Sequence, residues 1–111
     1  MRVWLDDVRT MPAGFDVHVK TAPEAIRLIR TNEIRVISLD HDLGDIANAG
    51  TGYDVACEIE KRATEGHKPP HWMVHSANPV GRDNMIAALR AAERMYLETQ
   101  EHLTDVDGCY N

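Results

Sequence analysis

The chain has 111 residues, of which 43% are hydrophobic and 27% are charged, and these values predict one domain with a single core. The net charge of −6 argues against tight binding to a long nucleic acid, and no apolar run reaches the roughly 18 residues of a membrane span. The two cysteines, Cys57 and Cys109, are too few for a disulfide framework, and without a secretory signal we expect reduced thiols in a cytoplasmic protein.

Strand and helix signals alternate along the chain. Apolar runs at 1–5, 34–39 and 71–75 predict buried strands, and the alternation at 16–20 predicts a less buried one. Three helices are predicted to start after capping residues, which are Thr21, Thr51 and Asn78. The first helix should end near Asn32 and the second at Gly66. The third should carry its apolar stripe as far as Tyr96, before a polar tail at 98–111.

The element order β-β-α-β-α-β-α predicts an α/β fold, because right-handed helical crossovers join parallel strands. We expect a mostly parallel sheet of four strands in the order 2-1-3-4, with helices on both faces in three layers. Ligands of such sheets bind beyond the carboxyl ends of the strands, where the winding changes direction. In this chain that point lies between the first and third strands.

Polar clusters follow three of the predicted strands. They are Asp6-Asp7, Asp40-His41-Asp42 and His75-Ser76-Ala77-Asn78. Charges at the end of a buried strand usually belong to a site or are paired. Asp6, Asp7 and Asp40 could supply oxygen ligands for Mg²⁺ or Mn²⁺, or Asp6 and Asp7 could begin a polar loop.

His41 and His75 follow adjacent central strands and are the candidate catalytic pair. One could accept a proton from water while the other protonates a leaving oxygen. Alternatively, either histidine could ligate a metal or be buried against the backbone. Asp42 could ligate metal, orient a histidine or cap the loop.

Five further residues are candidates for binding substrate. Ser76 and Asn78, with the amides of the helix that follows, could form a phosphate cradle. Arg9 could hold a phosphate oxygen with its planar guanidinium, or simply be solvated. Thr51 and Tyr53 begin the second helix, where Tyr53 could stack on a base or serve only in packing.

Together these motifs resemble a response-regulator receiver domain. Carried over by position, Asp6 and Asp7 would bind metal, Asp40 would accept a phosphoryl group, and Ser76 would be the small hydroxyl residue. The chain is more similar to the receiver-like family described as cyclic-phosphate-processing, over about residues 2 to 90. The strings that carry this likeness are Trp4-Leu5-Asp6-Asp7-x-Arg9, Ser38-Leu39-Asp40-His41-Asp42-Leu43-Gly44, Thr51-Gly52-Tyr53-Asp54 and His75-Ser76-Ala77-Asn78-Pro79-x-Gly81.

The resemblance implies a truncated receiver-like, flavodoxin-like fold and a metal-dependent activity on cyclic phosphates of nucleotides or RNA ends. Two departures from a receiver are expected: no helix between the first two strands, and no fifth strand with its lysine. The leading hypothesis is a metal-dependent phosphoesterase for a small cyclic phosphate, with neither long nucleic acid nor membrane as partner. The alternatives are a module that only binds a cyclic nucleotide or a partner protein, and a receiver phosphorylated on Asp40. The oligomeric state is left open.

Overall fold

Four short strands form one parallel sheet in the order β2-β1-β3-β4, so the predicted fold class and strand order are confirmed. The strands are β1 (Arg2–Leu5), β2 (Val17–Val19), β3 (Val36–Leu39) and β4 (His71–Val74). The computed structural model describes residues 1–44 and 47–109, with side chains as far as Glu101. Residues 45 and 46, which the sequence predicts to lie in a loop from Asp40 to Gly52, and residues 110 and 111 of the predicted tail lie outside the described residues.

The helices are α1 (Ala22–Thr31), α2 (Gly52–Thr64) and α3 (Pro79–Cys109). Each begins where a capping side chain binds an otherwise unpaired amide. Thr21 Oγ1 accepts a hydrogen bond from the Glu24 amide at 3.3 Å. Asp54 accepts one from the Thr51 amide at 2.9 Å, and Asn78 Oδ1 accepts one at 3.0 Å from the third residue of α3. The helix starts were predictable because capping is local chemistry.

All three helices pack on one face of the sheet, so the expected arrangement of helices on both faces is wrong. Helix α2 contacts both α1 and α3, and buried side chains of every helix join those of the strands in a single core cluster. Both helical crossovers, from β2 to β3 and from β3 to β4, move in the same direction across the sheet. The right-handed rule therefore puts their helices on the same side. A crossover helix between β1 and β2, which runs the opposite way across the sheet, would cover the other face, but that connection has none.

The face without helices is covered at its centre by aromatic rings. Trp4 is only 7% exposed but stands outside the core cluster, since side chains alternate between the two faces of a strand. Phe15, from the β1–β2 connection, meets its ring edge-on at 5.2 Å, and the His75 ring stacks on it at 3.9 Å. Trp4 is thus a buried residue that supports the segment following β4 from this face.

Helix α3 is longer than the sequence predicted. It was expected to give way to a polar tail at residue 98, yet it continues to Cys109. The segment from 98 to 107 contains neither proline nor glycine, so nothing in its backbone chemistry stops the helix. Polarity alone did not mark the end of this helix.

An ion pair ties α1 to α2. Arg30 donates to both carboxylate oxygens of Glu58, from Nη2 at 2.9 Å and from Nε at 3.3 Å. Glu58 is 9% exposed. The hydrogen bonds from Arg30 hold the pKa of Glu58 below its ordinary value, and burial opposes them. The ionised carboxylate is therefore the form that the folded state favours.

This pair predicts a loss of stability in acid. Because the pKa of Glu58 is lower in the folded than in the unfolded chain, its contribution is complete above the ordinary value of 4.5. That contribution disappears as the pH falls through the lower folded value. In urea unfolding, Glu58→Gln should have a lower free energy of unfolding than wild type at neutral pH, and the difference should shrink in acid. The control Glu60→Gln should keep the wild-type dependence of this free energy on pH. Equal pH profiles for the two variants would contradict this role.

Candidate functional site at the carboxyl end of the sheet

The register of the sheet aligns Asp6, Asp40 and His75. The last residues of β1, β3 and β4 are direct neighbours, and these three residues follow them. The ladder continues, since the Asp40 and His75 amides each donate to the adjacent strand at 3.0 Å. Each of the three side chains offers one potential ligand atom, and those atoms all lie within 4.8 Å of one another. Parallel strands in register thus bring together residues that are far apart in the sequence.

Asp6 is fully buried, and both of its carboxylate oxygens accept hydrogen bonds. Oδ1 accepts from the amides of Val8 and Arg9, each at 2.8 Å, and Oδ2 lies 3.0 Å from His75 Nε2. Burial alone would raise the pKa of Asp6, but the two amides and His75 together hold that pKa below its ordinary value. Asp6 is therefore a carboxylate at neutral pH.

Both ring nitrogens of His75 are engaged. An ionised Asp6 can only accept, so His75 Nε2 carries the proton, and Nδ1 accepts from Ser38 Oγ at 2.7 Å. Burial lowers the pKa of His75, against the opposing hydrogen bond and charge of Asp6. The neutral ring thus lies within a chain of hydrogen bonds from Ser38 to Asp6. The sequence signal for this chain of hydrogen bonds was Ser38, the one polar residue of the strand Val36–Leu39.

Asp40 lies beside Asp6 and is 9% exposed. Burial and the negative charge of Asp6 raise the pKa of Asp40 above its ordinary value. Arg9 partly balances the two acids, since its Nη1 lies 3.4 Å from Asp6 and 3.9 Å from Asp40. The same nitrogen donates to the carbonyl oxygen of His75 at 2.8 Å. The predicted phosphate contact, Arg9, is thus held by the acids and by the end of β4.

His41 forms a second group, together with Asp42 and Asn78. Asp42 Oδ1 accepts from His41 Nδ1 at 2.8 Å and from Asn78 Nδ2 at 3.3 Å, and these bonds keep the pKa of Asp42 below its ordinary value. His41 Nε2 has no hydrogen-bond partner among the described residues. The ring lies against the start of α3, where a Cβ on Gly81 would come within 2.7 Å of Nδ1. Gly81 therefore leaves the space that the ring occupies.

A pocket of about 360 Å³ opens between the two groups. Its lining consists of Asp6, Asp7, Val8, Arg9, Asp40, Asp42, Gly44 and Ala77. Asp7 and Asp42 are outside the close trio of potential ligands but face the same pocket. Gly44, at φ 76°, lets the loop pass the Asp7 carboxylate, which a Cβ would approach to 2.5 Å. Four carboxylates thus surround one opening.

Four predicted substrate residues are absent from the lining of this pocket as described. Ser76 Oγ accepts from the amide of Asn78 at 3.1 Å, and Asn78 itself caps α3. Thr51 forms an isolated antiparallel bridge with Asp42, and Tyr53 is 41% exposed at the start of α2. These four residues lie outside the pocket lining, and their contacts with substrate stay predictions.

The donor set fits a hard divalent cation. Two carboxylates, with further acids facing the same pocket, are ligands that Mg²⁺ and Mn²⁺ favour, and an imidazole nitrogen suits Mn²⁺ better than Mg²⁺. A cation bound by Asp6 and Asp40 would take over the charge balance that Arg9 now provides. Residues at the site can therefore hold the predicted metal.

A parallel 2-1-3-4 sheet with acidic residues after β1 and β3 defines a receiver-like α/β domain. Residues 1–91 match the family model of the cyclic-phosphate processing receiver domain, and the chain belongs to that family. No curated protein and no solved structure matches the chain at a significant level. Within the part of the chain that the structure describes, no helix is long and apolar enough to cross a membrane.

Proposed function

We propose that this domain is a metal-dependent phosphoesterase that opens small cyclic phosphates, on nucleotides or on RNA ends. The observation that carries the proposal is the grouping of Asp6, Asp40 and His75 within 4.8 Å, at a pocket next to the His41–Asp42 pair. This combination offers ligands for a cation and a base for proton transfer at one end of the sheet.

The proposed reaction is hydrolysis. The oxygen of a water forms a bond to phosphorus while the bond from phosphorus to one ring oxygen breaks. Water loses a proton and the leaving oxygen gains one, so the product is a phosphate monoester with a free hydroxyl. A divalent cation held by Asp6 and Asp40 would stabilise the negative charge that develops on the phosphoryl oxygens.

Of the two histidines, His41 is the one with a ring nitrogen left to accept the proton from water. Because ionised Asp42 can only accept, His41 Nδ1 carries the proton of the neutral ring and Nε2 keeps its lone pair. Nε2 is also the nitrogen with no partner among the described side chains. Asp42 thereby fixes the tautomer that a general base needs.

His75 was predicted as the second proton-transfer group, and this role requires Nε2–H to turn from Asp6 to the leaving oxygen. Its present bonds suit a residue that orients Asp6. Arg9 supplies the positive charge that an anionic substrate needs beside four carboxylates. Arg9 lines the pocket, whereas His75 is connected to it through Asp6.

A second candidate function is phosphorylation of Asp40 without hydrolysis. It is favoured by the place of Asp40 in the pocket, beside Asp6 and Arg9, where a receiver carries its phosphoacceptor. A stoichiometric adduct on Asp40 after treatment with acetyl phosphate, seen by mass spectrometry, would support it. An unmodified protein would remove it.

The proposal is tested by incubating chelator-treated protein with 2′,3′- and 3′,5′-cyclic nucleotides, with and without Mg²⁺ or Mn²⁺. Chromatography should show a monoester from at least one class, and only when metal is present. Calorimetry on the same samples detects a module that binds the ligand and returns it unchanged. Ligand that is recovered intact from folded protein in every sample would contradict the proposed activity.

A further inference from the structure

A groove of about 1000 Å³ lies at the amino end of the sheet, opposite the acidic pocket. Ile34 and Ile59 provide apolar surface, while Arg35, Arg62 and Lys68 add positive charge. Four Arg or Lys side chains and two Glu side chains line it, and Arg30 is already paired with Glu58, which leaves three cations against two acids in a chain with a net charge of −6. The groove thus has the opposite sign from the molecule as a whole.

Much of this positive charge is uncompensated within the described part of the chain. No described residue makes a hydrogen bond or ion pair with the side chain of Arg35 or Lys68. Of the two acids in the groove, Glu93 accepts a hydrogen bond from Trp72 Nε1. A groove with free cations around apolar side chains is suited to an acidic segment that also has apolar residues.

Helix α3 passes this groove at Tyr96 and Leu97, and Leu97 is 60% exposed. The helix continues to Cys109, and its last twelve residues extend about 18 Å beyond Leu97. This segment, 98–109, contains no Lys or Arg. Its acidic residues are Glu98, Glu101, Asp105 and Asp107. The extension therefore carries a negative charge, opposite in sign to that of the groove.

We propose that the partner of this groove is a second copy of this chain, and that the acidic end of α3 from one copy lies in the basic groove of the other. The basic groove and the acidic extension are adjacent in each copy, since Tyr96 and Leu97 line the groove and the extension begins at the next residue of α3. A two-fold axis near Leu97 therefore satisfies both contacts at once, as an isologous interface requires. This dimer is independent of the proposed hydrolysis.

Sedimentation velocity on the full chain tests the dimer. We expect a dimer at low ionic strength that weakens as salt screens the charges. The variant Arg35→Glu/Lys68→Glu should raise the dissociation constant by about tenfold or more, because it reverses two groove charges. The matched control Lys20→Glu/Arg27→Glu reverses two exposed cations outside the groove and should keep the wild-type constant. Circular dichroism confirms that both variants fold.

The opposite reversal, Glu98→Lys/Glu101→Lys, should weaken the dimer in the same way, since both glutamates are exposed on α3. Mixing it with Arg35→Glu/Lys68→Glu should restore a heterodimer, because each variant then presents the charge that the other lacks. A wild-type chain that stays monomeric at every concentration would overturn the proposal. So would a dimer that both reversed variants retain, or a mixture that fails to pair.

Discussion

Replacement of His41 by alanine is expected to lower the rate of cyclic-phosphate hydrolysis by about 10²–10⁴-fold, which is the usual contribution of a general base. His41 Nδ1 is bound to Asp42, so the ring presents Nε2 with its lone pair. The imidazole is 18% exposed and lies over Gly81, at the start of α3. Its removal deletes the proposed proton acceptor while leaving Asp6 and Asp40 in place. The loss should therefore appear in kcat.

The matched control is His67→Ala, which removes a histidine from the opposite end of the sheet. It should leave the rate unchanged. Asp42→Asn gives a second comparison, because an amide no longer requires the proton on Nδ1 and the ring can turn or change tautomer. The rate of hydrolysis by this variant should lie between the rates of wild type and His41→Ala. A wild-type rate in folded His41→Ala would remove His41 from the mechanism.

Replacement of Gly52 by alanine should give the largest loss of stability, about 3 kcal/mol or roughly 15 °C in Tm. A Cβ at this first residue of α2 would overlap the carbonyl oxygen of Asp40 and stand 2.7 Å from Met85 Sδ. The carbonyl belongs to the backbone at the end of β3, so it cannot move without disturbing the site. Urea and thermal unfolding measure the effect.

Gly66→Ala is the control for this substitution. Gly66 has a positive φ of 93°, but a Cβ there would meet no atom within 4 Å, so alanine costs only the backbone strain, about 1–2 kcal/mol. At Gly52, by contrast, the backbone φ is ordinary and the added Cβ would be crowded by its neighbours. If Gly52→Ala were no less stable than Gly66→Ala, the close approach of α2 to Asp40 would not be a constraint.

Much of the architecture was predictable because its causes are local. Thr21, Thr51 and Asn78 mark the helix starts by capping chemistry, and the apolar runs mark the strands. The positions of the helices were not predictable in the same way. The assumption of two covered faces failed because the single connection that could cover the second face, between β1 and β2, contains no helix. That outcome depends on the whole topology.

The candidate site was likewise predictable from the sequence only in part. Alignment of Asp6 with Asp40 and His75 follows from parallel strands that end together, so the sequence could anticipate it. The contacts that fix His75 could not be anticipated, since Ser38 of β3 and Trp4 of β1 reach it through the face without helices. Such pairs depend on register and side-chain direction, which a single sequence specifies only weakly.

In the proposed reaction, Asp6 and Asp40 hold a metal on which hydrolysis depends. The most direct test follows the rate of cyclic-phosphate opening against Mn²⁺ concentration, beside a calorimetric titration of the substrate-free protein with Mn²⁺. We predict that rate and binding saturate over the same range, and that Asp6→Asn and Asp40→Asn lose both while remaining folded. Hydrolysis that continues at full rate with chelator, or that survives in both variants, would contradict the account.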